Sequence, residues 1–472
     1  MKVGIIGAGP AGITAAYQLS KAGIDVDLYE AGPAVGGLAK TITLWNQRVD
    51  LGPHRFFSTD RRVNELWLEV VGQDYAMVDR LTRIYYNKDF FNYPLRVGNA
   101  LKNLGPFEAA HCLLSYFQQK VKPIEQDGSF EDWVVNQFGR RLFDIFFKTY
   151  SEKLWGITCK ELDSDFASQR IKKLSLTEAI KNAIVGGRGN KHKTLVDRFA
   201  YPHLGSGVVY ERMAEKITAM GNVVHLNTPV QRVVLENGNA TGLELTNGQT
   251  RAYDHIISSM PLTLLVQRLD GTPQALLDHI NALKFRNTTL VFLNVDASDL
   301  FPDNWIYVHD PSLQFGRITN FRNWTPQINN NETTSILALE YWSYDEDPMW
   351  QADDETLIAL GKKEIKQTGL IGNAAILEGK AIKIRRCYPV YNKDYKDHLK
   401  PVEAYLSSID GLSVIGRYGA FKYNNQDHSI LMGILAAEKI TQNADHSLWE
   451  INTNYDTYQE TALITETGLT KA

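Results

Sequence analysis

The chain has 472 residues, 44% hydrophobic and 22% charged, with a formal net charge of −4. That length calls for two or three domains around a large buried core, and the balance excludes a disordered chain and any global electrostatic drive toward nucleic acid. No apolar run approaches the roughly eighteen residues that span a membrane, a strand pattern begins directly after Met1-Lys2 with no room for a signal peptide, and Cys112, Cys159 and Cys387 show neither metal spacing nor disulfide arithmetic; the expectation is a cytoplasmic globular protein with no metal site.

The first element is an apolar run, Val3 to Ile6, ending in Gly7-x-Gly9-x-x-Gly12, followed by a helical pattern to Lys21, a second apolar run from Ile24 to Tyr29, and an acid at Glu30. Gly7 permits a tight turn, Gly9 lets the backbone approach a pyrophosphate, and Gly12 lets the helix pack closely on the strand. Pro10, Ala11 and Gly12 open a helix whose free N–H groups and positive dipole end suit phosphates, and Glu30 is placed to accept hydrogen bonds from an adenosine ribose. The next turn, Gly36-Gly37-Leu38, gives the backbone a second close approach to the same pyrophosphate.

Thr41 to Trp45 and Arg48 to Leu51 read as short strands leading into Gly52-Pro53-His54-Arg55, and a helical pattern runs from Asp60 to Val78. Arg83 to Leu95 reads as a hairpin across Asn87-Lys88. Residues from about 97 to 185 are mostly helical and rich in aromatics, and the basic run 186–193 reads as a solvated loop. A helix from Val208 leads to strands at 222–226, 229–235, 240–245 and 255–259, separated by Asn/Gly turns and expected to rejoin the first sheet. Residues 265–400 alternate strands with one helix near 355–367, which predicts an antiparallel sheet domain, and Leu412–Gly416 returns as a strand before a helix over Ser429–Thr441. The expected division is α/β: a Rossmann-type dinucleotide-binding domain in three parts (1–80, 201–265 and 401–442), a mainly helical insert (81–200), an antiparallel-sheet substrate domain (266–400) and a polar tail (443–472).

The glycine pair following Glu30 resembles FAD-binding flavoproteins of the amine oxidase type more than NAD dehydrogenases. A longer resemblance lies in Gly416-Arg417-Tyr418-Gly-Ala-Phe-Lys422-Tyr423-Asn-Asn-Gln426-Asp427-His428-Ser429. It is similar to the Gly-Arg-Phe-Gly-x-Trp-(Arg/Lys)-Tyr and Asn-Gln-Asp-His-Ser region of UDP-galactopyranose mutases. Further matches follow the same order: Gly52-Pro53-His54 resembles a Gly-Gly-His loop at the flavin ring, Tyr150-Ser-Glu-Lys-Leu-Trp155 a Tyr-Asn-x-Lys-Val-Trp helix, Phe199-Ala-Tyr-Pro-x-x-Gly205 a shared turn, and Phe315-Gly-Arg317 to Pro326 an arginine-bearing stretch. Pro53 and Ser151 depart from the pattern, the first by stiffening the loop and removing an N–H, the second by replacing an asparagine that reaches the substrate.

The resemblance implies a reduced FAD whose N5 attacks the anomeric carbon of a nucleotide sugar with no net redox, NAD(P)H being a candidate reductant. It places Arg170 and Arg317 on the diphosphate, where guanidinium pairs bidentately and keeps its charge. Trp155 would form part of the nucleoside wall, and Tyr307, Tyr388 and Tyr423 would contact substrate. His54 would touch the flavin, and Gly7, Gly9, Pro10, Ala11, Gly12, Glu30, Gly37, Leu38, Val230, Gly416, Arg417, Gln426 and Ser429 would hold the cofactor. The alternative is a redox flavoprotein of the same superfamily, of the amine oxidase, protoporphyrinogen oxidase or desaturase type, which needs no paired phosphate arginines.

Overall fold

The computed structural model describes residues 1–93, 97–165, 198–451 and 463–469. Its first sheet is parallel and five-stranded, in the order Leu412–Val414, His255–Ser258, Lys2–Ile6, Asp25–Tyr29, Val223–His225. The central strand is buried from Val3 onward, as a parallel strand covered on both faces must be. Helix Pro10–Lys21 crosses against helix Gln426–Thr441 so closely that a Cβ on Gly433 would lie 2.5 Å from the Ala11 carbonyl oxygen. The carboxyl ends of these strands deliver Gly7, Glu30, Ser259 and Gly416 to one edge, where open α/β sheets bind their ligands.

The second sheet has seven strands, in the order Ile376–Pro389, Phe285–Val295, Ser335–Ser343, Arg317–Asn320, Trp305–Val308, Thr82–Tyr86, Asp89–Asn92. All neighbours are antiparallel except Trp305–Val308 and Thr82–Tyr86, which run parallel. The Thr82–Asn92 hairpin, turned through Asn87 and Lys88 at positive φ, thus extends a sheet whose other strands begin at Phe285. Helices Pro106–Val121, Phe130–Phe138 and Thr149–Trp155 carry the aromatic insert, and helix Asp354–Thr368 packs on the strands Phe285–Val295 and Ile376–Pro389.

Two expected elements are corrected. The helical pattern from Asp60 ends at Val71, because Gly72 takes φ +66; Tyr75–Asp79 is a strand paired with Arg198–Pro202. A short apolar run cannot be assigned by periodicity alone. Strands Val230–Glu236 and Asn239–Leu245 do not rejoin the parallel sheet. The left-handed pair Asn237 and Gly238 makes a tight hairpin, which forces antiparallel pairing, and Thr250–Ala252 completes a separate three-stranded sheet. Among the described residues, no helix is long and apolar enough to cross a membrane, and no group of three or more His, Cys, Asp or Glu side chains could hold a metal ion.

Candidate active site

The glycine edge is built from backbone. Gly7 takes φ +91 and its N–H donates to the Tyr29 carbonyl at 2.7 Å. A Cβ on Gly12 would lie 2.0 Å from the Gly7 carbonyl oxygen, so only glycine lets the helix start there. No side chain caps that helix; Gly9 precedes it and Pro10 and Ala11 form its first positions, leaving a positive end with unspent donors. The second glycine turn folds back onto the first: the Gly36 N–H donates to the Ala8 carbonyl at 2.8 Å, and a Cβ on Gly37 would lie 3.0 Å from Gly9 Cα. Glu30 braces the first turn and the chain that follows it, accepting from the Ala8 N–H at 2.9 Å and the Gly32 N–H at 2.8 Å.

The other expected cofactor positions lie around this edge. Gly416 (φ +84) faces Ala11, whose Cβ would be 3.1 Å from an added Cβ. Ser429 is buried in the first turn of Gln426–Thr441, behind an Asn425–His428 capping box. Leu38 and Val230 pack into one apolar cluster with Ile6 and Tyr29. This cradle of close glycines, an uncapped helix and a bracing carboxylate fits a dinucleotide. Gln426 and Arg417 each make contacts within the chain. The Gln426 amide donates to the His54 carbonyl at 2.9 Å and accepts from Tyr210 at 2.6 Å and Ser206 at 3.1 Å. It therefore anchors the His54 loop. Arg417 donates to the carbonyls of Cys387 (2.7 Å) and Asn424 (2.8 Å) and lies over the rings of Tyr423 and Tyr388 at 4.4 and 4.8 Å.

The His54 loop links this edge to a cleft. Its N–H closes a three-residue turn around Pro53 onto the Gly52 carbonyl at 2.9 Å. Asp50, just before it, is buried and accepts from Tyr201 (2.8 Å) and the Ser206 N–H (3.2 Å); burial pushes its pKa up to about 7. His54 as a residue keeps some accessible surface, but its Nδ1 is sealed from solvent without a hydrogen-bond partner among the described residues. Burial, then the nearby charges of Arg317 and Arg417, lower its pKa to about 3, so it is neutral at physiological pH.

The cleft wall comes from the antiparallel sheet. Tyr307, Arg317 and Glu340 are register partners across three adjacent strands, which sets them side by side on one face. Arg317 and Glu340 form a two-point ion pair, with Nε donating at 2.6 Å to a carboxylate only 1% exposed. Burial works against the Arg317 charge, but Glu340 prevails and holds its pKa well above the ordinary guanidinium value. Arg317 Nη2 also reaches the Tyr388 hydroxyl at 3.4 Å. Tyr388 stacks on Tyr423 at 5.5 Å, and fully buried Trp155 meets both rings edge-on at 6.3 and 5.8 Å. Tyr307 joins through Tyr150, whose ring lies 5.5 Å away. Burial raises the pKa of Tyr388 and Tyr150, keeping both phenols protonated.

Six of the expected residues are thus brought together: His54, Trp155, Tyr307, Arg317, Tyr388 and Tyr423. Arg170 lies outside the described residues. Sequence reasoning missed Glu340, although a lone acid within Ser335-Ile-Leu-Ala-Leu-Glu-Tyr-Trp signals a buried charge in need of a partner. It also missed Tyr150 as a bridge between Tyr307 and the Trp342 ring, 5.8 Å away.

The family model of flavin containing amine oxidoreductases matches residues 10–369. The chain is 28% identical over 171 residues to the zeta-carotene desaturase of Zea mays, covering 30% of each chain. It is 28% identical over 169 residues to the probable UDP-galactopyranose mutase of Klebsiella pneumoniae, covering 34% of this chain and 42% of the other. The chain therefore spans under half the length of these curated relatives. A crystal structure of reduced UDP-galactopyranose mutase superposes with a TM-score of 0.85 at 23% identity, over 96% of this chain and 97% of that one. A putrescine oxidase variant gives 0.64 at 15% identity, over 93% and 99%. These likenesses show a shared fold.

Proposed function

Because the chain belongs to the flavin-containing amine oxidoreductase family and is FAD-dependent, we propose that it is a nucleotide-sugar mutase of the UDP-galactopyranose mutase type, interconverting pyranose and furanose rings without net redox. The observation that carries this reading is the row of Tyr307, Arg317 and Glu340 facing Tyr388, Tyr423 and Trp155 beside His54. Charge-assisted donors next to a buried aromatic wall match a diphosphate joined to a planar base.

When bound in its reduced form, FAD supplies the nucleophile that displaces the nucleoside diphosphate from the anomeric carbon. The chain's part is to bind and orient. Arg317 presents the guanidinium edge that Glu340 leaves open, and it stays charged throughout. The hydroxyls of Tyr388 and Tyr307 donate to phosphate oxygens, and Trp155 backs the wall against which the nucleoside lies. His54 remains neutral, so its Nδ1 can serve one hydrogen bond without adding a further positive charge. Arg170 is the second arginine of this reading.

A redox reading of the same fold is favoured by one observation, the 171-residue similarity to zeta-carotene desaturases. The deciding experiment incubates dithionite-reduced and fully oxidised enzyme with UDP-galactopyranose and a panel of other nucleotide sugars, followed by chromatography. An isomeric nucleotide-sugar peak with reduced enzyme only is the expected result. No isomer from any donor, with steady oxygen consumption on an amine or a polyene, would transfer the chain to the oxidoreductases.

A further inference from the structure

The residue after His54 is an arginine, Arg55. Arg55 Nη1 is sealed from solvent and has no hydrogen-bond partner among the described residues. Its guanidinium lies 5.9 Å from the Phe57 ring centroid. The groups that act on its charge are Tyr307, Arg80, Tyr93 and Asp427. Three of these form one wall: the Tyr93 and Tyr307 rings lie 4.9 Å apart, and Arg80 sits 5.9 Å over Tyr93. The one acid among them, Asp427, is 3.0 Å from His428 Nδ1. Burial pulls the Arg55 pKa below its ordinary value, as for a cation kept from water without a full counter-charge.

Arg317 is the contrasting case. Its Nε and Nη2 are both taken by buried Glu340, so that pair is close to neutral as a unit. Arg317 can offer a ligand only the edge that Glu340 leaves open, whereas a guanidinium with a sealed, unpartnered nitrogen stays costly until an acceptor arrives. Arg55 carries such a nitrogen, and Tyr93, one of the groups that act on its charge, is 43% exposed. We infer that Arg55 is an oxyanion-binding residue of the cleft, receiving a phosphate or carboxylate of the ligand beside Tyr93 and Tyr307, at a subsite separate from the Arg317–Glu340 pair. The identity of that ligand rests on the nucleotide-sugar reading; the oxyanion chemistry does not.

The test uses the FAD-loaded enzyme and its Arg55→Met and Arg55→Lys variants. Binding of uridine, UDP, UDP-galactose, UDP-glucuronate and inorganic pyrophosphate is followed by perturbation of the flavin spectrum, together with the flavin-to-protein ratio and the melting temperature. Loss of a charged hydrogen-bonding partner predicts a weakening of about 10- to 100-fold in Arg55→Met, partly restored in Arg55→Lys, with uridine binding and flavin content unchanged. If every diphosphate weakens alike, the oxyanion is a phosphate; if only UDP-glucuronate does, it is a sugar carboxylate. Arg55-dependent pyrophosphate binding by an enzyme that ignores UDP would keep this inference and remove the nucleotide reading. Equal affinities in all three proteins, no oxyanion binding by the parent, or loss of flavin from Arg55→Met would overturn the inference, the last by assigning Arg55 to the cofactor.

Discussion

The two halves of the site recognise by opposite means. At the glycine edge the chain offers mostly backbone: Gly9 faces Gly37, Gly12 starts against the Gly7 carbonyl, and the Glu30 carboxylate braces the Ala8 and Gly32 N–H groups. In the cleft it does the reverse, crowding guanidinium, phenol and indole groups together and fixing each by a buried partner, as Glu340 fixes Arg317. The first half is a shape that one added carbon destroys. The second is a balance of charge and desolvation, and its members fail in different ways.

The sharpest break in that contrast lies within the edge itself. An added side chain at Gly12 meets the Gly7 oxygen at 2.0 Å, whereas one at Gly9 finds only Gly37 Cα at 3.8 Å. Gly12→Val is expected to lose both fold and flavin. Gly9→Val should fold with a near-normal melting temperature and yet be colourless, because its side chain occupies the pyrophosphate path. Absorbance near the flavin band and a thermal melt check both, and a yellow Gly9→Val protein would refute the placement of the cradle.

The cleft's charge balance comes next. Glu340→Ala strands a buried guanidinium and should cost about 3–5 kcal/mol in denaturant unfolding. Replacing both partners, Arg317→Met with Glu340→Met, should recover most of that stability while ligand affinity stays lost. If the double variant still bound nucleotide sugar as the parent does, Arg317 would have no part in recognition. Arg317→Ala alone is expected to retain flavin and to weaken ligand binding by about 1.5–3 kcal/mol, read by titration.

A third effect depends on pH. His309, 6% exposed and stacked on Tyr150 at 5.0 Å, has its pKa lowered from 6.5 to about 3, by burial first and by Lys153 second. A histidine held neutral in the fold contributes stability that is fully present above about 6.5 and is lost as pH falls from there toward about 3. Urea midpoints across that window should decline, and His309→Gln should flatten the decline. An unchanged slope would show that His309 is not what titrates. The smallest effect is expected from Tyr423→Phe, which keeps the ring that stacks on Tyr388 and Arg417. A change of under about 1.5 kcal/mol in ligand affinity is anticipated, the scale of one neutral hydrogen bond.

How much of this was legible in the residues follows from the same contrast. Backbone recognition is local, so Gly7 to Gly12, Glu30 and Gly36-Gly37 could be read directly, each glycine having its own steric reason. The cleft is assembled from segments far apart in the chain, and only likeness to a family drew Trp155, Arg317, Tyr388 and Tyr423 into one place. What the likeness could not supply were partners. Glu340 is opposite Arg317 because of strand register, and Gln426 holds the His54 carbonyl because a helix end happens to reach that loop. Both are three-dimensional coincidences with no sequence spacing of their own. The strands Val230–Glu236 and Asn239–Leu245 show the opposite case: their Asn-Gly turn is legible in the residues, and its consequence is a hairpin that cannot enter a parallel sheet in series.

The hairpin Thr82–Asn92 has a bearing on how the protein is made. Its inner strand, paired on one side with Asp89–Asn92, finds its second neighbour only at Trp305–Val308, and the Thr82 hydroxyl donates to the Trp305 carbonyl across 223 residues of chain. At ordinary rates of synthesis, about 5–20 residues per second, the strand waits on the order of ten seconds or more for that neighbour. During that interval it presents an unpaired edge carrying Ile84 and Tyr85, both buried in the finished molecule. Ribosomes stalled between residues 100 and 300 should therefore hold the chain in its most aggregation-prone form, and chaperone demand should fall once Val308 has cleared the exit tunnel.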